Sequence, residues 1–502
     1  MISTDDRLSF EKSEPGRSGV RLQLQDAKCD RGAERTIPSA LARQSALAFP
    51  EMNELETVRH FVNLSKKNFS IDTHFYPLGS CTMKYNPKVN EWAASLEGFS
   101  KVHPFQPEAT CQGALEILGE LQRYLAAITG MDRFTLQPAA GAHGELTGMM
   151  LVHAYHHAKK ESHRNKVLVP DSSHGTNPAS ASLLGYEVIQ IRSNARGRVD
   201  LEDLKKHLGP DVACLMLTNP NTLGLFEEQI LEVTRAVHEA GGLLYYDGAN
   251  LNALLGLARP GDMGFDIVHV NLHKTFSTLH GGGGPGAGPV GVKDFLAPFL
   301  PLPWVVKQGE SYRLIEKGES SIGRVGSFFG NFGILLRAYA YIRTLGTDGL
   351  RKASRAAILN ANYLKSRLKK TYDVPVDEPC MHEFVMTSQV FKEKHLHASD
   401  IGKRLLDMGF HAPTVHFPLV VEDAIMIEPT ETESKETLDR FVEALIAIRK
   451  EIDLCPETVR NAPHHMPIHR PDEVQAARQP ILTYRDYLGT LRTTEPRPVS
   501  AG

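Results

Sequence analysis

Two apolar runs, each ending at a charged residue, restrict this chain more than any other feature. Leu243 to Tyr246 opens LLYYDGANLNAL and stops at Asp247; Ile267 to Val270 lies in DIVHVNLHKTF and runs into His273-Lys274-Thr275. Continuous apolar runs bounded in this way read as strands buried on both faces, which occur in sheets covered by helices. Ligands of such sheets sit beyond the carboxyl ends of the strands, where both charges fall. A lone Lys or Asp at a strand end is ordinarily a solvated boundary residue. The pair, in this order and followed by the run Gly281 to Gly284, is more specific. It suits pyridoxal 5'-phosphate (PLP) chemistry, in which a lysine forms a Schiff base with the cofactor aldehyde and a carboxylate keeps the pyridine nitrogen protonated. Lys274 and Asp247 are the candidates for these roles.

The flanking segments support that geometry. Strands at 166–170, 186–191, 212–218, 243–246 and 267–270 alternate with helices at 171–184, 200–208 and 227–240, an α/β pattern with a largely parallel sheet. A short strand near Phe134 to Gln137 leads into Ala139-Ala140-Gly141-Ala142-His143-Gly144, with a helix expected from Glu145 to Lys160. A small-residue turn opening a helix presents free backbone N–H groups at the positive end of the helix dipole and suits a phosphate. The stretch from Asn68 to Lys88 has neither helical nor strand period, and irregular loops of that length are commonly functional. A helix is expected from Thr110 to Ile128, with Thr110 as its cap, and another from Asp200, which caps it. A long helical pattern over 333–369 suggests a link between two lobes, and the remainder reads as a small α+β domain with an irregular tail. The expected division is an N-terminal arm and helix for partner contacts (1–70), a large cofactor domain (71–340) and a small C-terminal domain with tail (341–502).

Composition excludes several classes. The chain has 502 residues, 41% hydrophobic and 23% charged, with formal net charge -3, so nothing points to nucleic acid. Six cysteines without a CxxC spacing read as a reduced cytoplasmic set rather than a metal or disulfide framework. The N-terminus is charged from the start and resembles no secretory signal. No apolar run approaches a membrane span.

Longer motifs carry a resemblance. FYPLGSCTMKYNPK, LQPAAGAHGE, PDSSHGTNPASA, LTNPNTLGLFE, YYDGANLNA, VNLHKTFSTLHGGGGPGAGP and IEPTETESKETLD, together with FEKSEPGR and RPDEVQAAR, resemble the P-protein family of the glycine cleavage system. Within it they are similar to the second subunit of the two-subunit bacterial decarboxylating glycine dehydrogenase. The resemblance implies the aspartate-aminotransferase-like fold (fold type I) and PLP. It implies that Lys274 bonds to the cofactor, Asp247 pairs with the ring nitrogen and His174 stacks on the ring. Ala140, Gly141, Ala142 and His273 would hold the phosphate, with His143 at the same turn. Asn219 and Thr222 would touch the cofactor or substrate, and Ser80, Cys81 and Thr82 the glycine side of the pocket. His74 and His174 are candidate proton carriers. The glycine run would lie near the pocket mouth or a neighbouring chain. The implied activity is decarboxylation of glycine, with the aminomethyl group passed to the lipoyl arm of the H-protein, so no nicotinamide site is expected. Implied partners are subunit 1, with two copies of each subunit, alongside the T- and L-proteins. Two other readings compete: a PLP-dependent amino acid decarboxylase acting without a lipoyl carrier, and a scaffold subunit that keeps the fold without chemistry.

Overall fold

The computed structural model describes residues 7–19, 37–45, 47–280 and 286–494; the run Gly281 to Gly284 lies outside the described residues. The chain forms two compact units, Met1–Phe69 with Pro467–Gly502, and Ser70–Met466. The tail past Met466 thus groups with the N-terminal residues, and both expected lobes belong to the second unit.

In the first unit, helix Glu54–Ser65 opens on a reciprocal cap. The Asn53 side chain accepts from Glu56 N at 2.9 Å, and the Glu56 carboxylate accepts from Asn53 N at 3.2 Å. Leu55, Val58, Phe61 and Val62 of this helix are exposed. The tail is less irregular than expected: it forms helices Glu473–Arg478 and Tyr484–Thr494, and Tyr484 stacks on Phe10 with centroids 4.8 Å apart.

The second unit is built on a seven-stranded sheet. Its strands are β1 (Arg133–Thr135), β2 (Lys166–Pro170), β3 (Glu187–Ile191), β4 (Val212–Thr218), β5 (Leu243–Gly248), β6 (Ile267–Val270) and β7 (Val290–Val292), in the order β1-β7-β6-β5-β4-β2-β3. Only β7 runs antiparallel to its neighbours. β4 and β5 are buried at every position, as continuous apolar runs require. The helices α1 (Gln112–Thr129), α2 (Gly141–Ala158), α3 (Thr176–Leu183), α4 (Leu201–His207) and α5 (Ile230–Glu239) accompany this sheet. Asp200 caps α4, accepting from Glu202 N at 3.0 Å and Asp203 N at 3.2 Å. Thr110 caps nothing: it sits in a short 3-10 turn, and α1 begins two residues later.

α2 starts four residues before its expected start, with Ala140 in extended geometry as its N-cap. The helix lies close on the sheet because glycines face it. A Cβ on Gly148 would come within 2.2 Å of the Tyr245 ring, and one on Gly144 within 2.7 Å of Gly288 O. After β6 comes the single turn α6 (Leu272–Thr275). Two elements emerge that the sequence did not suggest, β7 and the hairpin β8 (Trp304–Gln308) with β9 (Ser311–Ile315).

The helical span α7 (Phe332–Leu368) breaks at Gly346, whose φ is 59°. Its first part adds Ile334, Leu335 and Ile342 to the core on the large sheet. Its second adds Ala361, Leu364 and Leu368 to a separate core with α8 (Ala398–Asp407) and α9 (Lys435–Leu454). That smaller lobe carries a three-stranded antiparallel sheet of β10 (Phe384–Thr387), β11 (Thr414–Val415) and β12 (Ala424–Ile427). Among the described residues no helix is long and apolar enough to cross a membrane.

Candidate active site

Parallel register sets three polar residues side by side at the carboxyl ends of the strands. Thr218 of β4 lies opposite Asp247 of β5, which lies opposite His269 of β6. The chain turns immediately afterwards, and α6 brings Lys274 back over these ends. A cleft opens at these strand ends. Its walls include Asp247, Lys274, His174, Thr222, His273 and Ser80, together with the first turn of α2 at Gly141 and Ala142.

Asp247 is 2% exposed. Its Oδ2 accepts from Asn177 Nδ2 and Thr218 Oγ1, each at 3.2 Å, and its Oδ1 from Ala249 N at 3.0 Å. His269 Nε2 stands 3.4 Å from Oδ1, while the Tyr245 hydroxyl meets His269 Nδ1 at 2.6 Å. Burial favours the neutral acid, but the His269 ring, the Ala249 N–H, Lys274 and Asn177 outweigh it and hold Asp247 below its ordinary range. Glu145, on the first turns of α2, behaves oppositely. Burial first and the Asp247 charge second push it up to about 8, although it accepts from Thr176 Oγ1 at 2.8 Å. The cleft therefore holds one ionised and one protonated carboxyl at neutral pH, the separation of environments on which acid–base sites rely.

Lys274 Nζ donates to Ser80 O at 2.7 Å. Burial and the Lys274 charge keep nearby histidines neutral, with His273 down at about 3 and His280 at about 4. His174 is also lowered, by desolvation; it lies at the rim, its Nδ1 accepting from Thr176 N at 3.2 Å.

Several expected residues face elsewhere. Asn219 does not line the cleft: its Oδ1 accepts from Glu227 N at 2.9 Å, fixing its own turn. His143 is turned back to accept from Ala139 N at 3.1 Å. Of Ser80, Cys81 and Thr82, only Ser80 reaches the cleft wall. Thr82 is buried, its hydroxyl donating to Glu428 Oε1 at 2.6 Å. Burial pushes the Cys81 thiol up to about 11, so it is neither a thiolate nor a nucleophile at neutral pH. Thr222 lines the cleft with its hydroxyl donating to Ser172 O. His74 bonds to Thr73 Oγ1 at 2.6 Å, and it is not among the residues lining the cleft.

The loop 78–86 is the keystone on the opposite wall. Lys84, 2% exposed, donates to Asn252 Oδ1 at 2.8 Å, Thr275 O at 2.8 Å, Tyr341 OH at 3.2 Å and Glu431 Oε1 at 2.7 Å. It thereby ties α6 to the chain after β12. Lys84, Glu145, Asn177, His269 and Asn271 are not singled out by the sequence; the only signal is their place inside the motifs SCTMK, GAHGE, SSHGTNPAS and DIVHVNLHK.

A mainly parallel α/β sheet with a lysine and an ionised carboxylate meeting at its strand ends, followed by a smaller α+β lobe, is the architecture of the PLP-dependent fold type I enzymes. Solved structures agree on the fold. An inhibitor-bound glycine decarboxylase (P-protein) of the glycine cleavage system superposes with a TM-score of 0.70 at 20% identity, over 85% of this chain and 100% of that one. A cysteine desulfurase from Thermococcus onnurineus does so with 0.58 at 17%, over 75% and 95%. The family model for the glycine cleavage system P-protein matches residues 24–303, and that for the glycine dehydrogenase C-terminal domain matches 353–469. A probable glycine dehydrogenase (decarboxylating) subunit 2 from Caldanaerobacter subterraneus subsp. tengcongensis is 56% identical over 96% of this chain and 100% of its own. One from Halalkalibacterium halodurans is 58% identical over 96% and 99%. The chain belongs to this family, the subunit 2 of the decarboxylating glycine dehydrogenases.

Proposed function

We propose that this chain decarboxylates glycine and passes the remaining aminomethyl group to a lipoyl arm, with PLP held in the cleft. The observation that carries the reading is the meeting of Lys274, ionised Asp247 and the first turn of α2 in one cleft. Its family, whose members are named for glycine decarboxylation, supports the choice of substrate.

The residues present fit the cofactor. Gly141 is set so close to Asn271 that a Cβ would stand 2.5 Å from its Oδ1, leaving a cradle only glycine can form beside free helix N–H groups. Asn271 Oδ1 is itself buried at the cleft without a hydrogen-bond partner. When bound, PLP supplies an aldehyde for an amine and a ring that takes up the electron pair left by CO2. Lys274 Nζ is the amine that reaches the aldehyde. Asp247 holds the proton on the ring nitrogen. Gly141, Ala142 and Ala140 receive the phosphate, with His273 beside them as a neutral ring. His174, Thr222 and Ser80, which line the cleft, would hold the cofactor ring and the glycine. Glycine loses its carboxyl as CO2, and its carbon bonds to one sulfur of the lipoyl disulfide. The S–S bond breaks and the second sulfur leaves as a thiol, so the disulfide is the oxidant.

The same reading gives the chain a subunit 1 partner, with two copies of each, and a lipoylated H-protein as acceptor, working beside T- and L-proteins in the cytoplasm. The name subunit 2 of its relatives supports a partner subunit. The exposed apolar side of helix Glu54–Ser65 supports contacts through the first unit.

The test is spectroscopic. Purified chain reconstituted with PLP is expected to show a lysine-linked absorption band near one equivalent that responds to glycine. Lys274→Ala is expected to abolish the band while circular dichroism stays unchanged. A band retained in that variant would mean that another lysine holds the cofactor.

A further inference from the structure

Behind the wall formed by Ser80 lies a second cluster of ionisable groups, outside the cleft. The antiparallel register sets Phe384 opposite Ile427. One residue further on each strand, Glu383 and Glu428 therefore face one another. Both are 0% exposed, as is His382. One ligand-type atom from each of the three lies within 4.8 Å of the others. Like charges directly opposite on a sheet repel, and two buried carboxylates this close cannot both ionise.

Their outer oxygens are bound to one short turn. Glu383 Oε2 accepts from Ser80 N at 2.7 Å. Glu428 Oε2 accepts from Thr82 N at 2.8 Å and Oε1 from Thr82 Oγ1 at 2.6 Å. The turn needs such holding, because Ser80 and Thr82 have φ of 60° and 48°, in the left-handed region. Its carbonyl at Ser80 is the one that accepts from Lys274. The inner oxygen Glu383 Oε1 and both His382 nitrogens are buried without hydrogen-bond partners, and His382 Nε2 is 3.7 Å from that oxygen. The backbone here has no slack either: a Cβ on Gly224 would stand 1.8 Å from Glu383 O.

We propose that Glu383 and Glu428 share one proton and act as a positioning pair for Lys274, clamping the Ser80–Thr82 turn and setting one negative charge behind it. With PLP bound, Asp247 would face the ring nitrogen, so the cofactor's own phenolic oxygen and this pair would be the anions beside Lys274. The other groups around Lys274 supply no further negative charge. Glu145 from α2 is protonated at neutral pH, and Cys81 from the turn is a neutral thiol. His174, His269 and His273 on the sheet side, and His280 and His382 beyond, are all held below their ordinary range and stay neutral. Burial raises both Glu383 and Glu428, the latter to about 7, as a proton-sharing pair requires.

The inference rests on PLP being bonded to Lys274, and its test separates the two. The full chain is loaded with PLP, and the pH titration of its absorption band is followed in wild type, E383Q, E428Q and the double variant. Glutamine mimics a protonated glutamate, so each single variant keeps one charge and should titrate near wild type. The double variant removes the charge, and the band's midpoint should fall by about one pH unit or more. Thr82→Val, which keeps both carboxyls and their single charge but loosens the turn, should weaken PLP retention with a smaller shift. It serves as the decisive variant if the double variant does not fold, because unchanged PLP retention would then overturn the clamp. A double variant that titrates as wild type would also overturn the proposal. So would one equivalent of a divalent metal in purified wild-type protein that is lost in the double variant. A wild type without any titrating band would instead refute the PLP assignment.

Discussion

Glu145 and Asp247 show how one cleft keeps two carboxyls in opposite states. Both are buried, but Asp247 collects donors and a neighbouring imidazole, whereas Glu145 faces the Asp247 charge and accepts from two side-chain hydroxyls, those of Thr176 and Ser180. A carboxyl raised from 4.5 to about 8 binds its proton more tightly in the folded state, so folding gains stability that is complete below its unfolded value and is lost as pH rises towards 8. Glu428 and Glu433, each raised to about 7, act with the same sign. Buried neutral histidines oppose them only below about pH 6.5, where an unfolded histidine protonates. The midpoint of thermal unfolding of the cofactor-free chain is therefore expected to fall between pH 6.5 and 8.5, and E145Q should flatten that fall. A wild-type curve level across this range would show that these carboxyls are ionised throughout. At this scale Lys274 and Asp247 are legible in sequence, because each terminates an apolar run and strand ends are where such sheets bind ligands. Glu145, Glu383 and Glu428 are not. Their chemistry comes from burial and from partners far along the chain, and a carboxyl's burial has no local signature. Asn219 and His143 stand at a strand end and a helix start, but backbone donors at Glu227 and Ala139 claim their side chains.

The loop 78–86 works as an element although it has no regular period. Its hydrogen bonds run to three glutamates of the small lobe, Glu383, Glu428 and Glu431, and to α6 through Thr275 O. Lys84 is its centre, and burial of its ammonium is offset by the Glu431 charge. Lys84→Ala would leave Glu431, Asn252 and Thr275 O facing a cavity without their donor. Breaking a buried ion pair in this way is expected to destabilise the chain by about 3–5 kcal/mol, measurable by urea unfolding, and to loosen PLP. A loss below about 1 kcal/mol, the scale of an exposed pair, would mean that Lys84 is no strut. The regular elements were the easier part to foresee. β2, β4 and β6 begin and end where the apolar runs do, since full burial on both faces leaves an unbroken signal. β7 has only Val290, Gly291 and Val292 and follows a glycine-rich stretch, so no period marks it. α2 begins ahead of its expected start because Gly141 and Ala142, weak as sequence signals, fit a first turn pressed against Asn271.

At the scale of the whole molecule, one unit holds a complete cleft and the other presents apolar surface. The second unit contains every residue assigned to cofactor and substrate, together with both cores that support them. The first unit, Met1–Phe69 with Pro467–Gly502, leaves Leu55, Val58 and Phe61 each more than half exposed on one helix. Such a face suits a partner surface better than water. That these side chains are exposed among the described residues depends on tertiary packing, which local sequence pattern does not show. The most direct measurement is exchange of labelled bicarbonate into the carboxyl of glycine. The chain is assayed with PLP, subunit 1 and lipoylated H-protein, each omitted in turn. The account predicts exchange with all components present, little with any one missing, and none for Lys274→Ala in the full mixture. Decarboxylation of glycine or another amino acid at full rate without the lipoyl carrier would contradict it and identify a simple decarboxylase, while full exchange with Lys274→Ala would reduce this chain to a scaffold.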